Sequence, residues 1–256
     1  MKRGFSEIMY IILGMRLINK KVKQLRDKGY DVENVLSLVQ NSNDINTIVY
    51  TSKEFQPMAD TFSDKYYFIG PSVTNITVEN DERKRRRIYI SLGTVLNKNI
   101  KFYKNCIKAL GNCDIDVIMS IGKNISVSEL EDIPDNFQVK NKVEQIKVLQ
   151  NVDAFITHCG MNSANESLYY GVPMILYPRQ SEQGLVAERV SELGAGFILK
   201  KNDPKYIKEA IFEVLNNNNY KKNAERLKES FRSSGGYKEG ADVILGSIKN
   251  LQNEFK

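Results

Sequence analysis

Histidine occurs once in this 256-residue chain, at position 158, tryptophan not at all, and cysteine three times, as Cys106, Cys113 and Cys159. Three is an odd number, and these three lack metal-ligand spacing, so a disulfide framework or a zinc site is not expected. A reducing compartment, the cytoplasm, is the corresponding expectation. No apolar run approaches the roughly 20 residues that span a bilayer. The longest, Ile8 to Met15, follows Lys2 and Arg3 in the manner of a secretory leader. Glu7 interrupts that pattern and no small-residue cleavage site comes after it, which favours an amphipathic helix. Two phosphate-binding fingerprints are also missing. No G-x-G-x-x-G follows the strand-like run Ile88 to Leu92, and no Walker A sequence is present, so dehydrogenase and P-loop readings lose their main support.

Hydrophobic residues make up 41% of the chain, enough for one large domain or two small ones. Lys and Arg number 37 against 31 Asp and Glu, a net charge of +6. With both signs mixed along the chain, this favours an anionic ligand without calling for nucleic acid.

From residue 88 onward, brief apolar segments alternate with stretches at helical period. Ile88 to Leu92, Ile115 to Ile121, Ala154 to Thr157, Pro173 to Tyr177 and Gly196 to Leu199 read as buried parallel strands. The expected fold is an α/β sheet of Rossmann type with helices on both faces. Ahead of it, a stripe through Phe5, Ile8, Met9, Ile12 and Leu17 predicts a helix. Strands follow at Thr47 to Thr51 and Tyr66 to Gly70, with a short helix near Phe55. These pieces are too few to close a core of their own and look like part of another domain. The predicted organisation is therefore a partial N-terminal domain over 1–78, a basic linker over 79–87, and a ligand-binding domain over 88–256.

The linker ends in Arg83, Lys84, Arg85, Arg86 and Arg87, which suits either a phosphate-rich or membrane partner or, more plainly, a solvated connection. Asn216 to Asn219 reads as a turn. The last helical pattern, Tyr237 to Phe255, places Ala241, Ile244, Ile248 and Leu251 on one face that is expected to pack.

Chemistry concentrates at two junctions. Asp153 to Thr157 runs into His158-Cys159-Gly160-Met161-Asn162-Ser163 and then into a helix containing Glu166. A strand, tight turn and helix in that order aim backbone N–H groups at one spot and suit a phosphate. The same Ser163-Ala164-Asn165-Glu166 is also a capping box that would satisfy the helix and bind nothing, and His158 alone is compatible with a purely structural role. The second junction, Ile90-Ser91-Leu92-Gly93-Thr94, offers close backbone approach and a hydroxyl, or an ordinary turn.

Together these residues resemble the family-1 UDP-glycosyltransferases, in particular the bacterial macrolide-glycosyltransferase branch. The likeness runs through Val143-Glu144-Gln145, Val148-Leu149, Thr157 to Ser163, Glu166, Gly171-Val172-Pro173, Pro178 and Glu182-Gln183, with Ile90 to Thr94 as the opening turn. Thr51 to Phe55 and Tyr67 to Pro71 resemble the end of that family's first domain. The resemblance implies a GT-B fold, in which two Rossmann domains face each other and the C-terminal one holds the nucleotide sugar. It implies diphosphate contacts from Gly93, Thr94, His158, Gly160, Asn162 and Ser163, ribose contacts from Glu166, sugar contacts from Glu182 and Gln183, and a uracil site beside Gln145 and the backbone of Val143. It further implies inverting hexosyl transfer to a small-molecule hydroxyl with no metal and no cofactor beyond the UDP-sugar donor. Plant members stack the base on a tryptophan where this chain has Asn141-Lys142. The family's base histidine in the first domain has no counterpart here, so the catalytic residue is unassigned and the N-terminal domain is expected to be truncated. Two alternatives stand beside this reading: a donor-binding subunit of a two-component glycosyltransferase, completed by a partner polypeptide or by self-association through the N-terminal part and the last helix, or a non-catalytic nucleotide-sugar-binding protein.

Overall fold

The computed structural model describes residues 2–30, 32–34, 45–73, 83–94 and 97–254, and for 2–13, 250, 251, 253 and 254 it describes the backbone alone. The chain divides into two compact units, Met1–Thr47 and Ile48–Lys256. The smaller contains α1, Lys2–Asp27. Leu17 of the expected apolar stripe is exposed, as are Met15 and Ile18. The rest of that stripe lies outside the described side chains.

Strand β1 (Thr47–Val49), at the start of the larger unit but for its first residue, pairs with β2 (Tyr66–Phe68). The short helix near Phe55 is a single 3-10 turn displaced to Ala59–Thr61. The Ser52 hydroxyl and carbonyl accept from the Phe55 N–H, holding a turn that presents the Phe55 ring to the core.

Six parallel strands follow: β3 (Arg86–Ser91), β4 (Ile115–Ser120), β5 (Phe137–Lys140), β6 (Ala154–Thr157), β7 (Met174–Leu176) and β8 (Gly196–Ile198). Their order across the sheet is β5-β4-β3-β6-β7-β8. This is the doubly wound order, in which the chain turns back at β3 and the crevice for a ligand opens between the carboxyl ends of β3 and β6. Ser91 and Thr157 stand side by side there.

Between the strands lie α2 (Ile100–Leu110), α3 (Gln145–Leu149), α4 (Met161–Tyr169), α5 (Ser181–Glu192) and α6 (Pro204–Asn216). Then come α7 (Asn218–Ser233) and α8 (Gly236–Glu254). Successive strand residues feed opposite cores. Ile88, Ile90, Ile156 and Ile175 pack against Phe102, Cys106 and Leu110 of α2 and Ile207 and Ile211 of α6. Tyr89, Phe155, Met174 and Leu176 pack against Leu168 of α4, Val186 and Val190 of α5, and Leu227 and Phe231 of α7. Burial on both faces is why these strands read as unbroken apolar runs.

Several expectations need correction. Strand β5 was not anticipated: only Phe137 is buried in its four residues, so the apolar signal is too short. Helix α2 starts at Ile100 because Asn99 caps it by accepting from Phe102 N. The Asn216 to Asn219 turn is a break between two helices, with Asn217 capping α7.

The arginine run is exposed at Lys84, Arg85 and Arg86, as in a solvated connection, but its guanidinium groups have partners and it is not a free basic patch. Arg83 donates to Asp153 at 2.8 Å, Arg85 pairs with Asp114 at 2.7 Å, and Arg86 donates to Leu215 O and Asn216. Asp153 also accepts from the Arg87 N–H at 2.7 Å. These acidic and carbonyl partners hold the segment that leads into β3.

On α8 the expected packing face is turned outward. Ala241, Ile244 and Ile248 are exposed, Leu251 lies outside the described side chains, and the helix instead seats Gly240 close to Ile69. The absence of a Cβ lets the backbone approach, which an apolar-residue count overlooks.

Candidate functional site

A cleft of about 850 Å³ opens at the β3/β6 switch point. Ten of the eleven residues singled out in the sequence line it: Gly93, Thr94, Val143, Gln145, His158, Gly160, Asn162, Ser163, Glu166 and Glu182. Gln183 does not. Its side chain is buried, and its Oε1 accepts from the Arg179 N–H at 2.9 Å, ahead of α5.

His158 follows β6 directly and stands between two glycines. A Cβ on Gly93 would lie 2.5 Å from the ring's Cε1, and one on Gly160 would lie 2.6 Å from Nε2. No real Cβ contact is so short, so both positions need glycine for the ring to sit here. Gly93 also has φ +77°, which L side chains rarely adopt. Burial pulls the His158 imidazole below its ordinary pKa, against a smaller opposing pull from Glu182, and its Nδ1 is buried with no partner among the described residues. A neutral imidazole of this kind can donate from one nitrogen to an anion in the cleft.

The turn carrying His158 is strained. Cys159 has φ +64°, uncommon for a residue with a side chain, and is held by its N–H donating to Thr157 Oγ1 at 3.1 Å. The strain brings the chain from strand to helix in three residues.

Helix α4 begins at Met161, two residues before the expected start, with Gly160 as its N-cap and no side chain capping it. The first intrahelical bond runs from Ala164 N to Gly160 O, so the amides of Met161, Asn162 and Ser163 are the helix's orphan donors. The capping box does not form. Ser163 Oγ accepts from Gln145 Nε2 at 3.2 Å, and Glu166 Oε2 accepts from the same nitrogen at 2.6 Å. Burial pushes the Glu166 carboxyl up, partly offset by that hydrogen bond. The site thus carries a positive helix end and donors on one side and a carboxylate on the other.

Four contributors escaped the sequence reading. Tyr89 in β3 donates from its hydroxyl to Gln145 Oε1 at 3.2 Å. Asn97 donates from Nδ2 to Gly93 O at 2.9 Å, which shapes the first turn. Asn165, on the far side of α4, donates to Tyr50 O at 2.7 Å and accepts from Thr51 Oγ1 at 3.3 Å, fastening α4 to the segment after β1. Arg189 on α5 secures the same segment by donating to Phe55 O and Glu54 O. These are single polar residues whose partners lie far away in sequence, so no local pattern announces them.

Among the described residues, no group of three or more His, Cys, Asp or Glu could hold a metal ion, and no helix is long and apolar enough to cross a membrane.

A doubly wound sheet with an anion-ready helix start at its switch point defines an α/β domain of Rossmann type. Residues 104–243 match the family described as erythromycin biosynthesis protein CIII-like, C-terminal domain, and the chain belongs to that family. This agrees with the likeness to family-1 glycosyltransferases carried by the His158 to Glu166 and Glu182-Gln183 motifs, and the fold is that of GT-B enzymes. The chain is similar to the uncharacterized UDP-glucosyltransferase YojK of Bacillus subtilis (strain 168), 40% identical over 210 residues, covering 79% of this chain and 52% of the relative. It is also similar to the NDP-glycosyltransferase YjiC of the same strain, 37% identical over 210 residues, covering 79% and 53%. The solved structure of CalG4, the calicheamicin glycosyltransferase, superposes with a TM-score of 0.80 at 27% identity, over 91% of this chain and 60% of that one. The chain spans about half the length of the curated relatives it matches.

Proposed function

We propose that this chain supplies the nucleotide-sugar half of a glycosyltransferase, binding a UDP-hexose in the β3/β6 cleft for inverting transfer to a hydroxyl of a small molecule. The carrying observation is the convergence of His158, the orphan amides of α4 and Glu166 on one cleft. The printed names of the similar proteins support a nucleoside-diphosphate sugar as donor, and UDP in particular.

On this reading the diphosphate lies against the start of α4, with His158, Ser163 and Thr94 donating to its oxygens. Glu166 accepts from the ribose hydroxyls, Val143 lies along the base, and Glu182 meets the sugar. When the acceptor oxygen forms its bond to the anomeric carbon, the bond from that carbon to the β-phosphate oxygen breaks and negative charge gathers on the departing UDP. Fixed donors aimed at that oxygen in a partly dry cleft stabilise the charge as it forms. The acceptor's proton must go to a base, and the single histidine, His158, is already engaged with the donor. Loss of a general base costs about 10²- to 10⁴-fold, so the chain by itself is expected to bind donor while transferring sugar slowly or not at all. Residues 88–256 would form the donor half, 79–87 the link to it, and 1–78 part of the acceptor side.

Titration calorimetry with UDP tests the assignment. Binding by the wild type, weakened at least ~10-fold in His158→Ala and in Glu166→Ala, is the expected result; unchanged affinity in both variants removes it.

A second reading keeps the donor site and adds a partner. Ile244, Leu245 and Ile248 form an exposed apolar stripe on α8. A second copy or another polypeptide covering it would complete the enzyme, and light scattering of the purified chain against a variant with Glu at those three positions separates self-association from a monomer.

A further inference from the structure

Glutamine in the position of Gln145 is expected, by family likeness, beside the base. Its side chain here is committed elsewhere. Gln145 Nε2 donates to Glu166 Oε2 at 2.6 Å and to Ser163 Oγ at 3.2 Å, while Oε1 accepts from the Tyr89 hydroxyl at 3.2 Å. All three partners line the cleft. Tyr89 is about 1% exposed, and its ring stacks on Phe155 with centroids 4.7 Å apart and planes 15° from parallel, so the hydroxyl is delivered from a fixed body.

We propose that Tyr89 is a positioning residue that acts through Gln145 to set the polarity of the ribose and diphosphate contacts. This rests on the donor-site reading above. A primary amide can face a carboxylate with its NH2 or with its oxygen, and only the first is attractive. The Tyr89 hydroxyl donates to Oε1 and so turns Nε2 toward Glu166. Desolvation pushes the phenol up to about 12, against smaller opposing hydrogen bonds from Ser91 and Ser120, so it keeps its proton.

Two consequences reach the ligand. Glu166 Oε2 is anchored, which leaves the carboxylate oriented with Oε1 as acceptor for the two vicinal hydroxyls of a ribose. Ser163 Oγ receives a hydrogen bond from the amide, so its own proton is free to go to a phosphate oxygen. Gln145 is thereby reassigned from reading the base to holding the carboxylate that reads the sugar ring. Base choice is then left to the backbone around Val143 and to Lys142, since the Asn141 amide is spent on Gly122 O at 2.7 Å and Ile125 O at 2.8 Å.

The test compares UDP with 2′,3′-dideoxyuridine diphosphate, which lacks both hydroxyls, by calorimetry on the full chain. Tyr89→Phe keeps the stack on Phe155 and removes only the hydroxyl. It is expected to weaken UDP about 3- to 10-fold and the dideoxy compound, which keeps only the diphosphate contact, by a clearly smaller factor. Gln145→Met is expected to show the same selectivity with at least as large an effect, and the double variant to be no worse than Gln145→Met. Equal losses for both nucleotides, or full UDP affinity in Tyr89→Phe, overturn the proposal while leaving the donor site standing. Failure of the wild type to bind UDP at all overturns the donor-site reading and this proposal with it.

Discussion

Gly93 and His158 are complementary surfaces: the Cα of the first lies against the ring of the second so closely that a single methyl would stand 2.5 Å from Cε1. The turn after β3 and the turn after β6 therefore cannot be altered independently, and the imidazole is aimed into the cleft by the backbone of the opposite strand.

Gly93→Ala must either push the ring aside or move the turn, at a φ of +77° that disfavours any side chain. A destabilisation of about 1–3 kcal/mol is expected together with a loss of UDP affinity of ~10-fold or more. Gly184→Ala on α5, where an added Cβ meets nothing within 4 Å, is the contrasting substitution. It is expected to be neutral or stabilising by about 0.5–1 kcal/mol. Chemical denaturation of both variants, beside the wild type, checks the pair.

Proton exchange on binding follows from the His158 environment. Burial holds its pKa below the ordinary value in the free protein, and a diphosphate alongside favours the charged ring. The bound state then holds more protons between the lowered free pKa and the raised bound one, so affinity for UDP-glucose rises as pH falls through that window. Glu166 acts in the opposite sense, since its carboxyl is raised by burial and ribose hydroxyls favour the ionised form. Calorimetry in buffers of different ionisation heat should show wild-type proton uptake exceeding that of His158→Asn; equal uptake contradicts the role.

Glu166 is expected to serve binding at the expense of stability. Its folded pKa is raised, so its contribution is most favourable below the unfolded carboxylate pKa and is lost as pH rises through the folded one. At neutral pH the ionised group is a net cost. Glu166→Gln should hold or raise the melting temperature by up to a few degrees while UDP affinity falls about 10-fold or more. A melting temperature several degrees lower would show Glu166 to be structural.

Thiol reactivity separates the three cysteines. Burial pushes the Cys159 thiol up to about 12 and raises that of Cys106 as well, whereas Cys113 is partly exposed. Thiolate is the reactive form, so an aromatic disulfide reagent should titrate one thiol promptly in the native chain and three after denaturation. Fast reaction of Cys159 would mean that the strained turn opens.

Much of the donor-side architecture was legible because it is written in contiguous patterns. Five of the six sheet strands are short apolar-rich runs, β6 and β7 buried throughout, and the His158 to Glu166 stretch is a strand, turn and helix read in one pass. What escaped depends on partners remote in sequence. Tyr89 reads only as a core aromatic until Gln145 is seen 3.2 Å from its hydroxyl, and the capping box at Ser163 was a sound local reading that Gln145 overrode. The partners of the arginine run were hidden in the same way, since Asp114, Asp116 and Asp153 meet it from other strands and loops. On α8, counting apolar residues chose the exposed face because a glycine made the contact.

The most direct test of the account is a crystal structure of this chain grown with UDP-glucose. The account predicts the diphosphate against the amides of Met161 to Ser163 and within hydrogen-bond reach of His158, with the ribose on Glu166. Density for the nucleotide elsewhere on the molecule, or a β3/β6 cleft closed by the protein's own side chains, would contradict it.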